Sequence, residues 1–263
     1  MREAANLISA ASRLPDPVSS ALPHTLEGFR DFHRGETIVV CGCGKSLAGF
    51  ANHEQFITIG VNDVGRLFQP TYLVVLNPRS QFSGDRFDYV ARSGAQALFT
   101  QLNLGTNHRH IVRFDLGQQN GVAFDTPSAL PYARNSPYVA MCLAALMGAK
   151  RIGLIGVDFT DDHFFGRTGR HLLANQFAAI DEQYQRLEEA LRKRGVSVVN
   201  LSGESRLTAF RKGLIDELRG TETRQTMRRG NGATPADGTD TIVLLAEDPR
   251  TRQPLANAVL STT

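Results

Sequence analysis

Cysteine is scarce in this chain of 263 residues: Cys41, Cys43 and Cys142 are all there are. An odd number with no C-x-x-C pair argues against a disulfide framework or a zinc site and fits a reducing cytoplasm. The expected role of all three is small apolar packing. No run approaches the roughly 18 apolar residues of a membrane span. The first dozen residues carry Arg2, Glu3 and Asn6 and lack a continuous apolar core, so no secretory signal is expected. A formal net charge of +3 is too small to call for nucleic acid. The Arg-rich stretch Arg219–Arg229 has no aromatic residue among its charges, and it reads as a solvated linker rather than a nucleic-acid or membrane contact.

Two common nucleotide motifs are also missing, each by a residue count. G-x-G-x-x-G starting at Gly42 would need glycine at 47, where Leu47 stands. Gly44-Lys45-Ser46 ends like a Walker A loop, but the glycine required five residues earlier is Val39. What is present is Thr37 to Leu47, Thr-Ile-Val-Val-Cys-Gly-Cys-Gly-Lys-Ser-Leu. A β-branched run reads as a buried strand, and closely spaced glycines at its end can bring backbone N–H groups against a phosphate because no Cβ blocks the approach. The same turn can equally be a tight connection.

The composition, 41% hydrophobic and 21% charged, is that of a globule with a real core. Further apolar runs at Gln55–Val61, Thr71–Leu76, Ala95–Thr100, His110–Phe114, Arg151–Gly156 and Val196–Leu201 lack clean alternation, as strands buried on both faces do. Between them, helices are expected at Leu26–His33, Ser136–Met147 and Ile180–Arg194, with a closing helix at Leu207–Leu218. The span before Pro131 is rich in Asn, Gln and Gly and reads as a loop over the ligand edge. This order predicts an α/β fold, a mostly parallel sheet with helices on both faces, over residues 25–218. Residues 1–24 read as a short helix at 3–13 and a Pro-rich connection, 219–240 as a flexible linker, and 241–263 as an isolated strand or the start of a further domain.

Ligands of open α/β sheets sit beyond the carboxyl ends of the strands. That position makes Asn62, Asn77 and Asp158 candidates, with helix or turn capping as the alternative for both asparagines. The helix start at Asn135-Ser136 offers free N–H groups and a partial positive charge. His163, Arg167, Arg170 and His171 crowd the polar loop at 160–175, where a histidine can serve as a base near neutral pH.

Four segments in this order resemble a family of Rossmann-like proteins. They are Phe32-His33-Arg34-Gly35-Glu36 running into the Gly42–Leu47 turn; Gly60-Val61-Asn62; Ser136 through Asp158-Phe159; and Val199-Asn200-Leu201-Ser202 with Ser205-Arg206-Leu207. The family includes bacterial flagellin-glycosylation accessory factors and archaeal 6-hydroxymethylpterin pyrophosphokinase. Its nearest enzymatic relatives are the bacterial sialyltransferases that use a CMP-sugar donor. The resemblance spans roughly residues 25–210. It implies that Gly42, Gly44, Lys45 and Ser46 receive the donor's phosphate, that Asn62 contacts the nucleotide, that Asn135 and Ser136 hold base or phosphate, and that His163 or His171 deprotonates the acceptor. The implied activity is metal-independent sugar transfer from a nucleotide donor, CMP-linked, to a glycan or protein acceptor, with no cofactor, in a cytoplasmic protein for which a homo-oligomer is an option. The alternatives are a Mg²⁺-dependent pyrophosphokinase, in which Asp63 and Asp158 would hold the metal, and a non-catalytic nucleotide-binding accessory protein. Three positions depart from the family pattern: Lys45 replaces a proline, Asn77 stands where an acidic residue is common, and Ala178 occupies the position of the sialyltransferase histidine.

Overall fold

The computed structural model describes residues 21–167 and 174–219. Both stretches belong to one unit of the chain, Met1–Thr221. The expected helix at 3–13, the linker beyond residue 219, the strand at 241–245 and His171 lie outside the described residues.

The β-branched runs become strands: β1 Thr37–Cys41, β2 Ile57–Val61, β3 Tyr72–Val74, β4 Ala97–Thr100 and β5 Ile111–Arg113. They are followed by β6 Asp115–Gln119, β7 Ala129–Tyr132, β8 Arg151–Ile155, β9 Asp162–His163, β10 Gly166–Arg167 and β11 Ser197–Asn200. Seven of them form one sheet in the order β11-β8-β1-β2-β3-β4-β5, with every neighbouring pair parallel. The fold is therefore α/β and Rossmann-like. From β1 the chain moves outward through β5, then returns to add β8 and β11 on the other side of β1. The carboxyl ends of β1 and β8 thus flank the point where the strand order reverses, the place where such sheets open a crevice.

Both faces of the sheet are covered. Ile38, Val40, Ile59, Val61, Ile152 and Leu154 pack with the helices on one side, while Val39, Cys41, Ile155 and Val199 pack with Leu47, Val64 and Phe68 on the other. This two-sided burial is why the runs carried no alternation. Helix α1 is Arg86–Ala91, α2 Ser136–Leu146 and α3 Phe177–Lys193. In α2 every residue but Pro137 is buried, which suits its run of Ala, Val, Met and Leu. Its C-terminal turn is tied to the amino edge of the sheet, where Met147 and Gly148 carbonyls accept from His33 and Gly35 N–H groups. Its N-terminus therefore points to the carboxyl edge. Helix α3 is amphipathic and buries Ile180, Tyr184, Leu187 and Leu191. No helix among the described residues is long and apolar enough to cross a membrane.

Several expectations need correction. Leu26–His33 forms only a 3₁₀ turn, Glu27–Phe29, with further turns after it. Leu207–Leu218 is not a helix: Lys212 pairs with Asn200 at the sheet edge, and only Ile215–Leu218 coils, as a 3₁₀ turn. The Asn- and Gln-rich span before Pro131 holds β6 and β7, a separate two-stranded parallel pair.

Candidate functional site

The turn after β1 is stitched to the turn after β8. Gly42 N–H donates to the Ile155 carbonyl at 2.8 Å and Gly44 N–H to the Gly156 carbonyl at 2.7 Å. A Cβ on Gly42 would lie 2.3 Å from the Gly156 oxygen, and one on Gly44 would lie 2.5 Å from Asp158 Oδ2. Both glycines are thus demanded by the closeness of two backbones. Gly156 itself adopts φ +69°, a left-handed conformation natural to glycine.

Ser46 sits at the start of a 3₁₀ turn, Lys45–Gly49. Its N–H donates to Asp158 Oδ2 at 2.8 Å and its hydroxyl to Asp158 Oδ1 at 2.6 Å. The same hydroxyl oxygen accepts from Gly156 N–H at 2.9 Å. The hydroxyl expected to meet a phosphate therefore serves the fold, and the buried Asp158 carboxylate fills the anion position at this turn. Lys45, by contrast, is exposed and meets Glu204 at 3.4 Å on the surface. The β11 turn closes the group, with Ser205 Oγ donating to the Val157 carbonyl and Arg206 N–H to that of Asp158.

Beyond β2, Asn62 adopts φ +53°, donates its N–H to the Val74 carbonyl and keeps its side-chain oxygen buried without a protein partner. The next residue, Asp63, is fully buried. Arg86 grips it with two bonds, Nε to Oδ2 at 2.9 Å and Nη2 to Oδ1 at 2.6 Å. Cys43 donates its thiol to the Val61 carbonyl and to Asp63 Oδ1. Burial, reinforced by the Asp63 charge, pushes the Cys43 thiol well above its ordinary value. Burial does the same to Cys41 and Cys142, so all three cysteines are packing residues with the thiol held protonated. Asn77 is half-buried at the end of the β3 run, just before Pro78.

At the head of α2 the cap is Asn135 rather than Ser136. Asn135 Oδ1 accepts from Tyr138 N–H at 3.1 Å and from the Tyr184 hydroxyl at 2.5 Å, while its Nδ2 donates to the Ala133 carbonyl at 2.6 Å. The carboxamide is engaged within the protein, and Ser136 beside it is buried. Ala178 is exposed in the first turn of α3.

The 160–167 loop is a small antiparallel hairpin, β9–β10, and it lies on the β1 turn. His163 bridges Gly44 through the backbone, and Phe164 N–H donates to the Cys43 carbonyl at 3.1 Å. The structure thus brings Gly42, Gly44, Lys45, Ser46, Asp158 and His163 together, with Asn62 next to them through Cys43 and the β2 turn. Asn135 and Ser136 reach the same edge from α2, and Asn77 stands farther along it, at β3. Sequence reasoning missed the Asp63–Arg86 pair and the aromatic tip of the hairpin. Asp63 entered the sequence reading only as a metal holder under the pyrophosphokinase alternative, and no spacing connects it to Arg86. Among the described residues, no three His, Cys, Asp or Glu side chains cluster as a metal site. A surface depression of about 490 Å³ opens at the opposite, amino edge, by Thr37, Ile57 and Arg151.

No protein-family model matches the chain, and no curated protein matches it. Among solved structures it is similar to the MAf glycosyltransferase from Magnetospirillum magneticum AMB-1, at 12% identity and a TM-score of 0.47. That match covers 72% of this chain but 37% of the other, so the chain spans little more than a third of that protein's length. It is also similar to the sialyltransferase CstII from Campylobacter jejuni in complex with cytidine-5'-monophosphate, at 13% identity and a TM-score of 0.42 over 72% of this chain and 88% of that one. The sialyltransferase CST-II bound to a trisaccharide acceptor and CMP matches at 16% identity and a TM-score of 0.42, over 70% and 88% of the two chains.

Proposed function

We propose that this chain is a glycosyltransferase that moves a sugar from a nucleotide donor, CMP-linked, to a glycan or protein acceptor without a metal. The observation that carries the reading is the seating of the His163 hairpin on the Gly44 turn, at the crevice between β1 and β8. The hairpin that carries His163 meets the backbone of Gly44, the residue before the exposed Lys45, at the edge where α/β sheets bind nucleotides. In this reading the His163 imidazole takes the proton of an acceptor hydroxyl. The acceptor oxygen bonds to the anomeric carbon, and the sugar–phosphate bond breaks with its electrons going to the nucleotide phosphate. Lys45 neutralises that leaving group, and the N-terminus of α2 adds its partial positive charge. Asn62, beyond the carboxyl end of β2, contacts the nucleotide in this reading.

Asp63 and Asp158, on which a Mg²⁺-dependent pyrophosphokinase would call, are already engaged by Arg86 and Ser46. That engagement favours sugar transfer over pyrophosphoryl transfer. The test is a transfer assay with CMP-sugar donors and a panel of glycan and protein acceptors, comparing the natural chain with His163→Ala. The expected result is a loss of at least about a hundredfold in the variant. Transfer that is unchanged by His163→Ala removes the proposed base.

A further inference from the structure

The hairpin that carries His163 cannot hold itself. Its strands are two residues each, far short of the three-stranded or helix-backed arrangement a β-structure needs for independent stability. Its position must come from contacts outside it. The backbone supplies the Gly44 bridge and the Phe164–Cys43 hydrogen bond. Phe164 packs against the core cluster around Leu47 and Phe68.

The remaining anchor is Phe165, and it reaches away from the β1 turn to the β2 side. Its ring centroid lies 4.8 Å from the Arg66 guanidinium carbon and 5.4 Å from that of Arg86. Each guanidinium is fixed before the ring meets it. Arg86 is locked in two hydrogen bonds to the buried Asp63, and Arg66 pairs with Asp85 while also lying over Tyr89 at 4.7 Å. Two cations held in place by carboxylates thus offer faces to one aromatic ring, the arrangement in which cation–π attraction works with little entropy left to lose. From the hairpin side, the His163 ring stacks on the same Phe165, with centroids 5.1 Å apart and planes 29° from parallel.

We propose that Phe165 is a positioning residue, whose ring, clamped on Arg66 and Arg86, holds the His163 imidazole against the Gly44 turn. The clamp ties the hairpin to Arg66 and Arg86 beyond β2 as well as to the β1 turn, so the ring on which the imidazole stacks is held from both sides. The link to catalysis rests on His163 acting as the base, whereas the link to geometry does not. An aliphatic residue at 165 fills space but offers the two cations no π face, and a tyrosine offers the same face as phenylalanine.

The test uses the full chain with Phe165→Ala and Phe165→Tyr. Hydrogen exchange of the Phe164 amide should quicken by about tenfold or more in Phe165→Ala, with the Val39 and Val40 amides of β1 unchanged, and should return towards the natural rate in Phe165→Tyr. In a CMP-sugar transfer assay, kcat should fall about tenfold in Phe165→Ala while KM for the donor stays within about twofold, again restored by Phe165→Tyr. A Phe164 amide that exchanges at the natural rate in Phe165→Ala overturns the proposal. So does a raised KM with kcat unchanged, which would make Phe165 a donor contact. If the natural chain transfers no sugar at all, the enzymatic reading fails, and the exchange measurement still decides the clamp.

Discussion

The Asp158 carboxylate and Ser46 are joined by two hydrogen bonds, one from the Ser46 N–H at 2.8 Å and one from its hydroxyl at 2.6 Å. Since Asp158 is buried, a charged group at the carboxyl end of the sheet depends on a serine two glycines into the β1 turn. Ser46→Ala removes the partner of Oδ1 and of the Gly156 N–H at once. The expected loss in unfolding free energy is about 2 kcal/mol, read from urea denaturation. A change within measurement error would mean that water replaces both bonds without penalty.

Arg86 and Asp63 form the second buried charge relationship at this edge. Arg86→Met strands a carboxylate that has no solvent exposure, so stability should fall by about 3–5 kcal/mol. Adding Asp63→Asn removes the uncompensated charge, and the double variant should be more stable than Arg86→Met alone. A double-mutant cycle in which the two losses simply add would show that the pair is not coupled.

How much of this was visible beforehand depends on the distance in sequence between partners. The runs at Thr37–Cys41, Ile57–Val61 and Arg151–Ile155 announce strands because each is apolar on both faces, and the sheet buries both faces. The two-glycine turn was visible too. Its glycines, however, answer to Gly156 and Asp158, more than a hundred residues away, and no local pattern encodes that approach. Leu207–Leu218 has helix-like composition, yet the edge of β11 offers Lys212 a ladder partner, and tertiary pairing wins over propensity. The hairpin β9–β10 is too short for a period to register, and the cation pair beneath Phe165 is assembled from two other elements.

The head of α2 gives a third prediction. Asn135 caps the helix and receives the buried Tyr184 hydroxyl. Asn135→Ala should cost about 1–2 kcal/mol through the lost cap, and Tyr184→Phe about 1 kcal/mol through the lost hydroxyl bond. Because both act on one oxygen, the double variant should lose less than the sum. Thermal unfolding of the three variants reads this directly.

His33 predicts a pH dependence. Its ring lies between Glu36, at 3.2 Å from Nδ1, and the Tyr72 hydroxyl, at 2.8 Å from Nε2. Burial lowers its folded-state value below the ordinary 6.5, with Glu36 opposing in part. The unfolded chain therefore binds the proton more readily than the folded one. The stability attached to the neutral ring is full above pH 6.5 and is lost as pH falls from there through the folded value. Urea midpoints measured from pH 8 down to about pH 5 should decline more steeply for the natural chain than for His33→Gln. Parallel profiles would show that His33 titrates alike in both states.

A nucleotide bound at the carboxyl edge between β1 and β8 would show itself in a titration with CMP followed by amide chemical shifts. The expected result is saturable binding at millimolar concentration or tighter, with the largest shifts at Gly42–Leu47, Asn62 and the Asn135–Ser136 head of α2, weakened about fivefold or more by Lys45→Ala. Absence of binding by CMP, CDP, UDP and GDP alike at that concentration, or shifts confined to the amino edge around Thr37 and Arg151, would contradict it.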